Sequence, residues 1–150
     1  MGWYFEQFQA GAVFETGHRV VSRADIAAFA ELTGDDNPLH TDGEFMAATD
    51  YGEVIAHGPL VLSLAVGLIA KLGIVAGTTI ALLQVSARFE RPVFAGDTIR
   101  VVMTIEGKRE TTKADRGVLS RRVDVLNQAD QIVISASFVS LMRRRPAPEA

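Results

Sequence analysis

The spacing of hydrophobic positions changes about half-way along the chain. Residues 59–72 form the longest apolar run and would be apolar on nearly every face of a helix. Because Pro59 lacks an N–H, it suits the first turn of that helix, which must then be surrounded by other elements. The run contains Ser63 and Lys71 and is shorter than the roughly 20 residues that a membrane span needs. We therefore interpret it as a buried helix.

The second half of the chain is rich in β-forming residues, with turn signals between its apolar runs. It predicts four strands, over residues 79–94, 98–106, 117–125 and 131–141. The turns at 95–97 and 127–130 are typical of hairpin connections, and the charged stretch 107–116 indicates an exposed loop or a solvated strand end. This order of elements predicts an α+β fold in which a curved antiparallel sheet wraps a long central helix.

The first part of the chain predicts short elements. Extended segments are expected at 13–16 and 18–21, helical turns at about 23–32 and 44–48, and a turn at 49–52. Ser22 is a suitable N-cap for the first helix, with Asp25 three residues later as in a capping box. Gly34 is a suitable C-terminal cap that ends this helix.

Composition limits the possible functions. With 150 residues the chain fits a single domain, and we expect a frayed tail from about residue 143. The net charge of −3 gives no case for binding nucleic acid or an anionic membrane, and the absence of cysteine excludes disulfides, thiolate metal ligands and cysteine nucleophiles. We see no secretory signal and expect a cytoplasmic protein. The 48% hydrophobic content favours an additional buried surface between subunits.

The residues that could carry chemistry cluster in residues 34–40, GDDNPLH, and in the following sequence HGP at 57–59. Asp35 and His40 can converge on one small target only if the backbone turns between them, and Pro38 favours such a turn. Water addition to an activated double bond needs a base for the water, an acid for the carbon and a donor for the developing oxyanion. A carboxylate, an imidazole and a helix start at Gly58 could provide all three.

The sequence GDDNPLH resembles the G-D-x-N-P-x-H signature of MaoC-like, (R)-specific enoyl-CoA hydratases. The resemblance extends from residues 4–6 to the turn at 94–97 and includes the spacing of the later His-Gly pair and of Ser63. It implies the hot-dog fold. It also implies that Asp35 and His40 bind the reacting water together, and that the N–H of Gly58 binds the thioester oxygen.

Several candidate residues keep alternative interpretations. Asn37 could contact substrate or support the loop through the backbone, and Ser63 could line the site or hydrogen-bond within its helix. Phe45 and Leu60 could line an acyl tunnel, together with Leu64 and Leu68, or simply pack in the core. Asp35 on its own would be an ordinary turn residue.

The three histidines differ in what their positions suggest. His57 is more consistent with a structural role, such as donating to a backbone carbonyl, and stays outside the predicted catalytic set. His18 is expected to face solvent. Their spacing along the chain gives no metal site to propose.

The sequence therefore predicts a hydro-lyase that hydrates trans-2-enoyl-CoA to (R)-3-hydroxyacyl-CoA, as a homodimer or higher oligomer without bound cofactor. A branched or dicarboxylic enoyl-CoA, which would want a cation in the acyl pocket, is an alternative substrate. A thioesterase of the same fold and a non-catalytic acyl-CoA-binding subunit are further alternatives. The cations that would bind the CoA phosphates stay open among Lys71, Arg88, Arg91, Lys108 and residues 143–145.

Overall fold

The computed structural model describes residues 1–146. A short 3-10 helix (Phe5–Gln7) precedes strands β1 (Val13–Glu15) and β2 (Arg19–Val20) and helices α1 (Arg23–Thr33), α2 (Pro38–Thr41) and α3 (Gly43–Ala47). The long helix α4 (Gly58–Lys71) is followed by β3 (Thr79–Phe89), β4 (Thr98–Glu110), β5 (Arg116–Leu126) and β6 (Ile132–Arg143). None of the helices in this part of the chain is long and apolar enough to cross a membrane.

The strands form one antiparallel sheet in the order β1-β4-β5-β6-β3, with β2 also paired to β4. Buried and less buried residues alternate along β4, β5 and β6, as expected for strands with one face turned to a core. That face packs against α4, whose buried residues include Leu60, Val61 and Leu68. The prediction of an antiparallel sheet wrapped around a central helix is confirmed.

Helix α4 is not covered on every side within a single chain. Its exposed positions include Ser63 and Val66, and the Val66 side chain is 42% exposed. The neighbouring edge strand β3 also exposes apolar side chains, namely Leu82, Leu83, Val85 and Phe89. The helix is therefore covered where it packs against the sheet, as predicted. Its positions at Ser63 and Val66 remain exposed in a single chain.

Helix α1 forms as its capping residues predict. The Asp25 N–H donates to Ser22 Oγ and the Ser22 N–H donates to Asp25 Oδ2, both at 3.0 Å. Gly34 has a φ of 77° and its N–H donates to Ala30 O, so it ends the helix in the left-handed conformation. The predicted helical turns at 44–48 correspond to α3, displaced by one residue.

Two predicted features need correction, and a third is met. Strand β3 ends at Phe89 and not at 94, because the chain turns before Pro92, which has no N–H to pair. The turn at 95–97 is not a hairpin, since β3 and β4 lie apart in the sheet with two strands between them. The stretch 107–116 contains both predicted alternatives, because β4 runs to Glu110 and residues 111–115 connect it to β5.

The C-terminal prediction is also wrong in part. Strand β6 extends to Arg143, and Arg144 pairs with the carboxylates of Glu6 and Glu110 at 2.8 and 3.2 Å. The predicted frayed tail therefore does not begin at residue 143. Residues 147–150 lie outside the described part of the chain.

Candidate active site

The loop between α1 and α2 turns the chain at the predicted catalytic residues. Asn37 caps α2 by accepting the Leu39 N–H on its side-chain oxygen at 3.1 Å, and Pro38 occupies the first turn of the helix. Residues 38–41 form one helical turn, where a loop was predicted. The chain therefore bends between Asp35, which is exposed, and His40, which is half-buried.

The ring of His40 is held by a main-chain carbonyl. Its Nδ1 lies 2.7 Å from Ile55 O, and because a carbonyl can only accept, Nδ1 carries the hydrogen. In the neutral ring Nε2 then bears the free lone pair. His40 is thus fixed in orientation and tautomer, with one nitrogen available to accept a proton.

His57 connects the two parts of the site. It is only 1% exposed, and its Nε2 donates to the main-chain oxygen of Asp35 at 2.9 Å, across 22 residues of sequence. Its ring stacks on His40 with a centroid separation of 3.7 Å, and the Phe29 ring lies tilted to it with a centroid separation of 4.9 Å. The structure therefore contains the kind of backbone hydrogen bond that the structural interpretation of His57 expected.

The donor and acceptor atoms of Asp35, His40 and His57 all lie within 4.8 Å of one another. Spacing along the chain did not reveal this cluster, since the fold brings the third residue in from the start of α4. Each histidine already uses one ring nitrogen on a carbonyl, at Ile55 or at Asp35. The fold thus brings one carboxylate and two imidazoles close together, with each imidazole held by a main-chain carbonyl.

Gly58 begins α4, and no side chain caps this helix end. Pro59 has no N–H, and the Val61 N–H is bound to His57 O at 3.1 Å. The N–H groups of Gly58 and Leu60 are therefore the early donors of the helix, at the end where its dipole favours negative charge. A Cβ on Gly58 would lie 2.6 Å from a ring carbon of Phe89, so this position has no room for a side chain.

A cavity of about 370 Å³ opens at this helix start. His40 and Gly58 line it, while Asp35 lies outside its lining, on the exposed side of the loop. The other lining residues are Tyr51, Ile55, Ala56, Pro59, Val61, Phe89, Glu90, Arg91, Pro92, Val93 and Ile134. Its walls are mostly apolar, which suits a chain of methylene groups next to a few polar atoms.

The four predicted substrate contacts do not line this cavity. Asn37 caps α2, Ser63 donates to Pro59 O at 2.8 Å within its own helix, and Leu60 is buried in the core. Phe45 lies on α3 and is 50% exposed. For Asn37 and Ser63, the structure favours the backbone-bonding alternatives.

Tyr51, Phe89 and Ile134 also line the cavity, although they were not predicted to do so. The signal for Phe89 was available, because a strand that ends before a proline must place its last side chains near the following turn. Nothing in the local sequence marked Tyr51 or Ile134.

Comparison with known families decides the classification. Residues 7–126 match the family described as MaoC like domain. The chain belongs to this family. Two curated relatives of the MaoC-like chain are Protein MaoC of Klebsiella aerogenes, 39% identical over 75% of this chain, and an (R)-specific enoyl-CoA hydratase of Aeromonas caviae, 32% identical over 77% of it.

The MaoC-like chain matches these relatives to different extents. It covers 33% of the Klebsiella protein and 82% of the Aeromonas hydratase. Among solved structures it resembles one titled Monoamine oxidase regulatory protein from Archaeoglobus, with 38% identity, a TM-score of 0.90 and 97% of both chains covered. It also superposes on one half of a Mycobacterium tuberculosis protein with a double hotdog fold, at a TM-score of 0.87, 24% identity and coverage of 99% of this chain and 46% of that one. The predicted hot-dog fold is confirmed.

Proposed function

We propose that the chain is an (R)-specific enoyl-CoA hydratase, in which Asp35 and His40 handle the protons and the start of α4 binds the thioester oxygen. The family supports a hydratase or dehydratase in general, since several relatives carry such names. The single observation that carries the finer proposal is the state of His40. Its Nδ1 is committed to Ile55 O, so Nε2 is free at a cavity that also meets a helix start.

The chemistry follows from these positions. The dyad removes a proton from water while the water oxygen forms a bond to the β-carbon of the enoyl thioester. The electron pair of the double bond moves towards the carbonyl oxygen, where N–H groups at the start of α4 stabilise the negative charge. The dyad then gives a proton to the α-carbon. The proton taken from water balances the one delivered, so no cofactor is needed.

Arg91 is the best-placed cation for the CoA portion. It lines the active-site cavity, and its Nη1 donates to Ile132 O at 2.8 Å, which leaves its other N–H groups for an anion. Three of the other candidates have partners elsewhere. Arg88 pairs with Glu90, Lys108 donates to the carbonyls of Phe5 and Glu6, and Arg144 pairs with two glutamates.

We also propose a homodimer that forms along β3. This strand is at the edge of the sheet, and Leu82, Leu83, Val85 and Phe89 on it are 40% to 54% exposed. An edge strand with this much apolar surface would favour association, and a second copy would cover both the strand and the open side of α4.

The proposed reaction can be tested with crotonyl-CoA. Loss of the absorbance of the conjugated thioester, without release of free thiol, is the expected result. Coupling to a dehydrogenase specific for (R)-3-hydroxyacyl-CoA reports the configuration of the product. Release of thiol would instead identify a thioesterase, and formation of the (S) product would contradict the assigned stereochemistry.

A further inference from the structure

A buried arginine without a counter-charge lies on the inner face of the sheet. Arg121 pairs in register with Ile105 of β4 and Phe138 of β6, and it is only 5% exposed. Its Nη2 donates to Ser140 Oγ at 2.5 Å, and its guanidinium carbon lies 5.9 Å from the centre of the Phe138 ring. Its Nε has no hydrogen-bond partner among the described residues.

No carboxylate within residues 1–146 forms an ion pair with Arg121. The adjacent Arg122 lies on the outer face of the same strand and pairs with Asp124 at 2.9 Å. Burial lowers the pKa of the Arg121 guanidinium, although an arginine stays charged in proteins. A buried cation is costly unless an anion compensates it. Because residues 1–146 provide none, a bound ligand would have to supply the anion.

The guanidinium lines a cavity of about 310 Å³. Ser140 is the other buried polar side chain in its lining, and the apolar side chains there are Val66, Ile69, Ala70, Val75, Ala76, Leu82 and Phe138. Ser140 accepts from Arg121, so its own hydroxyl hydrogen is free to donate. The cavity therefore suits a ligand with an apolar body and an end group that only accepts hydrogen bonds.

A row of residues paired across β3 and β6 runs between this cavity and the active-site cavity. Residues paired across these strands share a face, and the β6 members Ile134, Ala136, Phe138 and Ser140 are all buried against α4. Their β3 partners are Phe89, Ala87, Val85 and Leu82. Phe89 and Ile134 line the active-site cavity, and Leu82 and Ser140 line the Arg121 cavity.

Residues of helix α4 also line both cavities. Gly58 and Pro59 line the active-site cavity, and Val66 and Ile69 line the Arg121 cavity. The helix rises by about 12 Å between Gly58 and Val66, at about 1.5 Å per residue. An acyl chain whose thioester lies at the helix start can therefore follow α4 towards the guanidinium.

We propose that Arg121 and Ser140 bind a carboxylate at the far end of the acyl chain, so that the substrates are enoyl-CoAs with an ω-carboxylated acyl group. This rests on the proposed hydratase function. The planar guanidinium matches a carboxylate in shape and charge, and the Ser140 hydroxyl supplies a further donor. An unsubstituted acyl chain would leave the buried cation uncompensated.

Matched substrate pairs test the proposal. For each chain length from about six to about 16 carbons, which brackets the helix rise above, kcat/KM is measured for a trans-2-enoyl-CoA and for its ω-carboxylated counterpart. At the length that reaches the guanidinium, the carboxylated substrate is expected to be preferred by about tenfold to a hundredfold, as for hydrogen bonds to charged groups. Equal or lower kcat/KM for the carboxylated member at every length would overturn the proposal.

Variants test which residues cause the preference for the carboxylated substrate. Arg121→Met replaces the charge with an apolar chain of similar length and is expected to remove the preference, while Ser140→Ala reduces it. Arg122→Met makes the same change on the outer face of the same strand and should leave the preference intact. A preference that persists in Arg121→Met, with the variant folded by circular dichroism, would exclude Arg121 as its source.

A binding measurement separates this proposal from the proposed reaction. Calorimetry with saturated acyl-CoAs, with and without the ω-carboxylate, requires no turnover. Tighter binding of the carboxylated form to the wild type but not to Arg121→Met, together with absent hydration, would retain the carboxylate site and reject the hydratase. Hydration of unsubstituted substrates with no carboxylate preference in binding would retain the hydratase and reject the site.

Discussion

The imidazole of His57 donates a hydrogen bond to the main-chain oxygen of Asp35 at 2.9 Å. This bond ties the motif loop to the start of α4, where the proposed oxyanion donors lie. It acts through the backbone and leaves the Asp35 carboxylate free. We infer that His57 positions the motif loop, and with it Asp35, relative to His40.

Replacement of His57 by Phe is expected to lower kcat by about tenfold to a hundredfold with little change in KM, since small misplacements of reacting groups have effects of this size. His57→Gln, which retains an N–H donor, should recover part of the loss. Steady-state kinetics on crotonyl-CoA, together with thermal unfolding of each variant, check the effect. A loss of kcat that simply follows the melting temperature in both variants would indicate a structural role only.

A pair of substitutions can separate two effects of changing Gly58, namely a steric clash and a loss of the helix-start donors. Gly58→Ala should destabilise the protein and reduce activity, because the new Cβ would lie 2.6 and 2.7 Å from two Phe89 ring carbons. The double variant Gly58→Ala with Phe89→Leu removes the nearest ring atoms and should recover much of the melting temperature. Its kcat, compared with that of Phe89→Leu alone, reports whether the helix-start donors still reach the substrate. A double variant no more stable than Gly58→Ala would contradict the proposed clash.

The proposed dimer makes a prediction about two edge strands. Leu83→Lys on β3 should shift the protein to a monomer in analytical ultracentrifugation, since a charge on an apolar edge opposes association. Val13→Lys is the matched control on β1, at the opposite edge of the sheet, where Val13 is 55% exposed. That variant should remain a dimer. A monomeric wild type, or a loss of association in the control alone, would contradict an interface along β3.

The capping box of α1 predicts a pH-dependent contribution to stability. Hydrogen bonds from Ser22, above all its backbone N–H, and the Arg19 guanidinium lower the pKa of Asp25 below its ordinary 3.8. A lowered folded-state pKa gives stability that is present above the unfolded value and is lost as pH falls through the folded one.

Asp25→Asn should therefore lower the free energy of unfolding at neutral pH by about 0.3–1 kcal/mol, the usual contribution of an acidic side chain in the first turn of a helix. The difference from the wild type should narrow as the pH falls below about 3.8. Urea unfolding at a series of pH values measures it. A difference that stays constant down to about pH 2 would show that the charge of Asp25 is not responsible.

Much of the fold could be predicted because its signals are local. The buried helix follows from its continuous apolar run, and α1 follows from Ser22, Asp25 and Gly34, whose capping roles depend on neighbouring residues. The pairing of strands could not be predicted in the same way. The sequence at 95–97 favours a turn. It does not specify whether the flanking strands pair with each other or lie apart in the sheet.

The site divides along similar lines. Asp35 and His40 belong to one short motif, whereas His57 joins them only through a contact across 22 residues. The two neighbouring arginines of β5 illustrate the limit most clearly. Arg121 and Arg122 are the same residue type at adjacent positions. Arg121 is buried and Arg122 is exposed because their side chains lie on opposite faces of the sheet.

In the proposed reaction Asp35, together with His40, handles the protons of water addition. The most direct test compares kcat/KM for crotonyl-CoA hydration in Asp35→Asn and Asp36→Asn, two identical changes at adjacent exposed carboxylates of one loop. We predict a loss of about a hundredfold or more for Asp35→Asn, as for removal of a general acid or base, and nearly wild-type activity for Asp36→Asn. Near wild-type activity in Asp35→Asn, or equal losses in both variants, would contradict the account.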